Sequence, residues 1–192
     1  MVTLLEITRS RLRQKILSYF FTNQDAHLYL RETASLLRDD PGNLSKELAK
    51  LIKDGIFVCD MRGRQKYFSL NKTYPLYKEL KSIIFKTIGV EGSLKELVQS
   101  VEGISGACIY GSFAVNKAHA ASDIDILIIG NPDEDALMHK LDALEKKLQR
   151  EINYNIYSEH ELKARIKKRD SFMLNILKRP HILLKGNLNG IQ

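Results

Sequence analysis

Residues 110–130 read YGSFAVNKAHAASDIDILIIG. Two periods meet in this stretch. Ile104 to Tyr110 (ISGACIY) is an apolar run of strand length, and Gly111-Ser112 ends it. Phe113 to Lys117 fits a helical turn. Ala121-Ser122 then leads into Asp123-Ile124-Asp125-Ile126-Leu127-Ile128-Ile129-Gly130, a strand with carboxylates at its start. Residues i and i+2 of a strand face the same way, so Asp123 and Asp125 point together. Two carboxylates so placed repel unless a divalent cation sits between them. A turn with a serine and free backbone N–H groups at a helix start suits phosphate. Alone, a bare Asp-x-Asp pair or a Gly-Ser turn is commonplace. Ten residues apart, each beside an apolar strand, they point to one site.

That combination resembles the polymerase-beta-like nucleotidyltransferase superfamily in its minimal form, strongly over residues 104–130 and loosely over 131–186. The resemblance implies that Gly111 and Ser112 hold the triphosphate of a nucleoside triphosphate, and that Asp123 and Asp125 bind two Mg2+ (or Mn2+) ions. It implies that a hydroxyl of a second substrate attacks the α-phosphate and releases pyrophosphate. One position departs from the pattern. The superfamily usually takes a third carboxylate from the next strand, and here that strand reads Glu151-Ile152-Asn153-Tyr154-Asn155-Ile156-Tyr157. Asn153 occupies the expected place. An amide offers a neutral oxygen but no charge and no base, and general-base help is worth roughly 10²–10⁴-fold. Glu151 lies on the same strand face as Asn153 and could stand in. His119, in the loop before the Asp pair, is the histidine nearest the site in sequence.

The rest of this half fits around that centre. Residues 133–150 form an amphipathic helix with Leu137, Leu141, Leu144 and Leu148 inward. Glu159-His160-Glu161 opens a helix with a basic end at Lys163, Arg165, Lys167, Lys168 and Arg169. Cations there complement a helix C-terminus, and could also face a polyanion. A short helix from Ser171 stops before Pro180, and His181 to Gly186 reads as a last strand.

Working back toward the N-terminus, the charge changes. Residues 1–90 hold 16 Lys and Arg against 9 Asp and Glu, a net of +7, whereas residues 91–192 hold 14 of each. The whole excess lies in the first half, as expected where one half meets a polyanion; plain solubility is the alternative. Thr8 to Phe21 has a helical apolar face at Leu12, Ile16, Leu17 and Phe20. Leu28-Tyr29-Leu30 is short and extended, Arg31 to Leu37 helical, and Asp39-Asp40-Pro41-Gly42 a turn. Asn43 caps a helix that buries Leu44, Leu48, Leu51 and Ile52 and ends at Asp54-Gly55. Ile56 to Cys59 and Tyr67 to Leu70 are strands joined by a tip at Met61-Arg62-Gly63-Arg64-Gln65.

Helix, helix, turn, helix and basic hairpin is the order of a winged helix-turn-helix. Residues 8–72 resemble the DNA-binding domain of small prokaryotic repressors. The helix after the turn would offer Asn43, Ser45, Lys46 and Lys50 to base edges of double-stranded DNA, and Arg62 and Arg64 on the wing would reach the minor groove or phosphates. Pro75 opens a further helix with Leu76, Leu80, Ile83 and Ile84 on one face, either a linker or a homodimer contact. Gly89 to Ser93 then marks a boundary.

The expected architecture is α+β: a winged helix-turn-helix at 1–74, a linking or dimerisation helix at 75–92, and at 93–192 a nucleotidyltransferase-like domain with a mixed sheet flanked by helices. At 192 residues and 44% hydrophobic content the chain suits two small domains. No apolar run approaches the roughly 20 residues of a membrane span. No signal-peptide core is visible, and Cys59 and Cys108 are too isolated for a disulfide framework or a cysteine zinc site, so a cytoplasmic protein is expected. Two functions stand. One is a DNA-binding transcriptional regulator whose second domain binds nucleotide and Mg2+, with transfer weak or lost. The other is a working transferase moving a nucleotidyl group to a hydroxyl of a small molecule, protein or nucleic acid. The blander alternative is a pair of interaction modules.

Overall fold

A computed structural model describes residues 10–115, 117–119 and 122–187. The expected helix start at Thr8, and Asn116 and Ala121 in the loop before the Asp pair, lie outside the described residues. The chain divides into two units, Met1–Val90 and Glu91–Gln192.

The first unit is built on α1 (Arg11–Thr22), β1 (Leu28–Tyr29), α2 (Leu30–Leu37), α3 (Pro41–Lys53), β2 (Phe57–Arg62), β3 (Gln65–Leu70) and α4 (Tyr77–Thr87). Its strands form one antiparallel sheet in the order β1-β3-β2, the winged helix-turn-helix arrangement. Apolar faces converge on one core. Ile16, Leu17 and Phe20 of α1 meet Leu44, Leu48 and Leu51 of α3, and Phe57 sits edge-on to Phe20 at 4.9 Å. Leu80 and Ile84 of α4 are buried in the same core. The α4 face expected to link or dimerise is therefore partly used within this unit, while Leu76 and Ile83 remain exposed.

Three local expectations are corrected. Asn43 does not cap α3. Asp40 does, accepting the Asn43 backbone N–H at 2.8 Å, and Pro41 takes the first helical position. Proline suits that place because its missing N–H would have no intrahelical partner and its φ is already helical. The wing tip is tighter than read. Strands pair as far as Arg62↔Gln65, leaving Gly63-Arg64 as the turn. Gly63 has φ +60°, the glycine place of a type II′ hairpin. Finally, the boundary read at Gly89 to Ser93 does contain the division between the units, after Val90, but its helix break is shorter than five residues. The chain breaks only at Ile88-Gly89, and Gly92 and Ser93 lie inside the next helix.

That helix is α5 (Val90–Gln99). It is followed by β4 (Ile104–Tyr110), α6 (Gly111–Ala114), β5 (Ile124–Gly130), α7 (Glu134–Leu148), β6 (Ile152–Tyr157), α8 (Glu159–Lys167), α9 (Ser171–Lys178) and β7 (Ile182–Lys185). The helical turn expected at Phe113 to Lys117 thus starts two residues earlier, directly off β4. The sheet runs β6-β5-β4-β7, with β5 and β6 parallel and the other pairs antiparallel, a mixed sheet as expected. Beyond Asp125, β5 is apolar because both its faces are covered: Ile126, Leu127, Ile128 and Ile129 are at most 1% exposed. On one face Cys108, Leu127 and Ile129 pack with Leu162 of α8 and with Met173 and Ile176 of α9. Asp133 caps α7 and Ser158 caps α8 through a full capping box with Glu161. Among the described residues no helix is long and apolar enough to cross a membrane.

Candidate functional site

Strand register assembles a corner at the start of β5. Antiparallel pairing sets Tyr110 opposite Asp125, and parallel pairing sets Asn153 opposite Asp125 from the other side. Asp123 stands one residue before β5 and is exposed, while Asp125 is half-buried. Alternation puts Asp125 on the sheet face that carries Leu127 and Ile129. Burial pushes the Asp125 carboxyl above the usual aspartate range, the Asp123 charge adds to this, and hydrogen bonding from Asn153 opposes it. Asn153 Nδ2 also donates to Asp123 Oδ2 at 3.3 Å. The amide therefore lies against the carboxylate pair, where a third acid would have added repulsion.

Gly111 closes the corner. It has φ +72°, and a Cβ built there would lie 2.4 Å from Asp125 Oδ2. Only a residue without a side chain both takes that turn and leaves room for the carboxylate. Ser112 follows, partly exposed, in the first turn of α6. Beyond the corner, Asn155 donates to the Tyr110 hydroxyl at 3.1 Å, and the Tyr110 ring stands edge-on to Phe172 at 5.7 Å. Burial, then the Asp125 charge, raises the Tyr110 phenol pKa. Cys108 lies in the buried cluster beneath, its thiol pushed up to about 12 by burial, and is unreactive there.

Tyr110 and Asn155 escaped the sequence reading as site residues. The signal for Asn155 was present: a polar residue two beyond Asn153 on the same strand face. Glu151 is exposed ahead of β6 and contributes its main-chain carbonyl, which accepts the Ile124 N–H. His119 and His160 are both exposed. Among the described residues no group of three His, Cys, Asp or Glu side chains could hold a metal ion. The donor set is two carboxylates with one amide beside them. Such oxygen donors fit a single hard divalent cation.

In the first unit, Asn43, Ser45, Lys46, Lys50, Arg62 and Arg64 are all exposed. They differ in how far they are held. Lys50 pairs with Glu47 at 3.3 Å, and Glu47 is itself buried against Arg13 of α1. Arg62 pairs with Asp60 at 3.4 Å and lies 5.3 Å from the Tyr67 ring centre. Asp60 also meets His27 at 2.6 Å, and the His27 ring stacks on Tyr67. Arg31, Ser35 and Arg38 were not singled out from sequence. They line an open groove of about 630 Å³ with Asp39 and Asp40. Arg31 and Ser35, four residues apart, share a face of α2, and Arg38 follows at its left-handed C-cap.

Residues 92–185 match the family described as polymerase beta, nucleotidyltransferase. No curated protein matches the sequence. Two solved structures are similar over parts of the chain. Reduced HlyU from Vibrio cholerae N16961 is 27% identical, with a TM-score of 0.33, over 42% of this chain and 77% of that one. A toxin-antitoxin crystal structure with AMP-PNP is 16% identical, with a TM-score of 0.37, over 53% of this chain and 77% of that one. Both scores are too low to bear on function. The family match spans Gly111, Ser112, Asp123, Asp125 and Asn153. The second unit is a nucleotidyltransferase-like domain.

Proposed function

We propose that this chain is a DNA-binding regulator whose nucleotidyltransferase-like unit binds a nucleoside triphosphate with one divalent cation, Mg2+ or Mn2+. Its transfer chemistry is weak or lost. The observation that carries the reading is the corner itself: Gly111 at positive φ against Asp125, Asp123 beside it, and an amide at the register position opposite.

In this reading Gly111 and Ser112 hold the phosphates through backbone N–H groups and a hydroxyl. Asp123 and Asp125 would hold the cation, with the Asn153 amide beside them. A divalent cation held there would supply Lewis-acid neutralisation of phosphate charge. Asn153 takes up no proton, so activation of an acceptor hydroxyl lacks its usual carboxylate. That distinguishes the regulator from the working transferase. In the first unit, α3 enters the major groove with Asn43, Ser45, Lys46 and Lys50, and the wing brings Arg62 and Arg64 to phosphates or the minor groove. Two copies suit such a reader, since half-sites about one DNA turn apart need two recognition helices.

Calorimetric titration of each nucleoside triphosphate with Mg2+ tests the site. Binding that depends on Mg2+ and disappears in Asp123→Ala/Asp125→Ala is the expected result; wild-type protein that binds none of them overturns the proposal. The Asn153→Asp variant separates the two functions. Radiolabelled nucleotide transfer that rises tenfold or more on restoring the acid supports an eroded enzyme. Transfer already fast in wild type and indifferent to the change favours the working transferase.

A further inference from the structure

Arg150 is a cation with only 9% of its surface exposed, placed just after α7. Burying a guanidinium is costly unless its hydrogens find acceptors. Two of them do so in a telling place. Nη1 donates to the carbonyl of His119 at 3.0 Å and to that of Ser122 at 3.2 Å. One NH2 group thus holds the carbonyls of both His119 and Ser122, just ahead of Asp123. His119 and Ser122 are also bonded to each other: Ser122 N–H donates to His119 O at 3.0 Å, and His119 N–H to Ser122 Oγ at 2.9 Å.

The neighbours of Arg150 complete the pattern. The next residue, Glu151, accepts the Ile124 N–H through its main-chain carbonyl at 2.9 Å. Asn153 donates to the Asp123 carboxylate. Asp123 is therefore fixed from three sides by one four-residue strip: its preceding carbonyl by Arg150, its following amide by Glu151, and its carboxylate by Asn153. Its solvent exposure leaves the side chain little other support.

We infer that Arg150 is a positioning residue, which sets the Ser122–Asp123 peptide so that the Asp123 carboxylate meets Asp125 at the cation site. This rests on the reading of that corner given above. Arginine suits this place better than lysine, because the guanidinium plane fixes the direction of both Nη1 hydrogens whereas an ammonium's hydrogens rotate on a flexible stem.

The test compares Arg150→Lys with Glu145→Ala in the full chain. Glu145 accepts the Ile152 N–H at 2.6 Å, so its loss damages the same α7–β6 junction without touching His119 or Ser122. Without any ligand, Arg150→Lys should speed amide exchange at His119 and Ser122 and shift the Asn153 side-chain amide resonances. Glu145→Ala should do neither. With Mn2+ followed by electron paramagnetic resonance, Arg150→Lys should bind about tenfold more weakly, and Glu145→Ala should bind as wild type does. Arg150→Gln is the second variant should lysine prevent folding. Unchanged exchange and amide signals in Arg150→Lys overturn the inference, as do equal losses in Glu145→Ala. Wild type that fails to bind Mn2+ overturns the cation reading instead, and the ligand-free signals then decide the role of Arg150 alone.

Discussion

The carboxylate pair at the corner of the second unit is treated in the opposite way to the acids of the first, even though Glu91 and Asp170 elsewhere in that unit do meet cations. In the first, acids are answered by cations. The Lys15 ammonium, hydrogen-bonded at 2.9 Å, holds Asp39 below the usual carboxylate range. Burial pushes Glu47 upward, yet Arg13 and Lys50 together bring it below its ordinary value. His27, then Arg62, does the same for Asp60. In the second unit, burial and a like charge drive Asp125 the other way. That unit is neutral as a whole and the first half carries the +7, so local arrangement, not net charge, makes the difference. Acids in the first unit orient cations at a basic surface, and in doing so withdraw Lys50 and Arg62 partly from it. The second unit keeps a pair of acids that oppose each other. Perturbation of that kind by burial plus a like charge marks functional sites more often than structural ones.

The largest expected effect removes the second arrangement while leaving the fold. Gly111→Ala places a methyl group where Asp125 Oδ2 now lies and forces an alanine toward φ +72°. The clashing atom is the end of a short side chain, so the carboxylate moves rather than the strand. Mg2+-dependent nucleotide affinity should drop by about a hundredfold, the scale of a displacement near 1 Å, with the circular dichroism spectrum retained. Full affinity in Gly111→Ala would show that the crowding between Gly111 and Asp125 has no part in ligand binding.

The contrast between the units was only half legible in the sequence. Alternation in ISGACIY and DIDILIIG gave the strands, their burial and the shared face of the carboxylates, because a period of two is a local property. Asn153 stands out through the family resemblance; its place opposite Asp125 is a matter of strand register, which a period of two does not carry. Asp40 was missed as the α3 cap because Pro41 read as a stop rather than as a first helical residue. Nothing in the helix pattern marks Glu47; its burial goes with Arg13, more than thirty residues away. Nothing local marks Arg150 either, since its partners are the carbonyls of His119 and Ser122, about thirty residues earlier in the chain. Contacts of that kind belong to tertiary pairing, which periodicity does not carry.

A smaller effect probes the basic surface. Arg62 is engaged by Asp60 and Tyr67, whereas Arg64 occupies the exposed wing turn beside Gly63. The two arginines flanking the glycine are therefore unequal. Arg64→Ala should lower the slope of log affinity against log salt for duplex DNA by about one unit, the signature of one lost phosphate contact. Arg62→Ala should change it less. Asp60→Asn, which removes the competing carboxylate, should raise affinity by about twofold to fivefold at low salt, within the range expected of an exposed ion pair. Fluorescence anisotropy over a salt series reads all three. Affinity indifferent to salt in the wild type would make the first unit a protein-contact module.

The smallest effect separates stability from function at Asp125. Its carboxyl is raised in the fold, so the protonated form is the one the fold prefers. The corresponding stability is fully present below the ordinary aspartate value of 3.8 and is lost as pH rises through the raised value. At neutral pH the ionised group therefore works against folding, and the neutral isostere does not. Asp125→Asn should melt higher than wild type at pH 7, by no more than about 2 °C because half-exposure lets solvent screen the penalty. The gain should vanish below the ordinary value, where both side chains are uncharged. Nucleotide binding with Mg2+ should be lost in the same variant. A variant less stable than wild type at pH 7 would mean that Asp125 is compensated within the fold, as the acids of the first unit are, and the opposition between the two units would fail at its central residue.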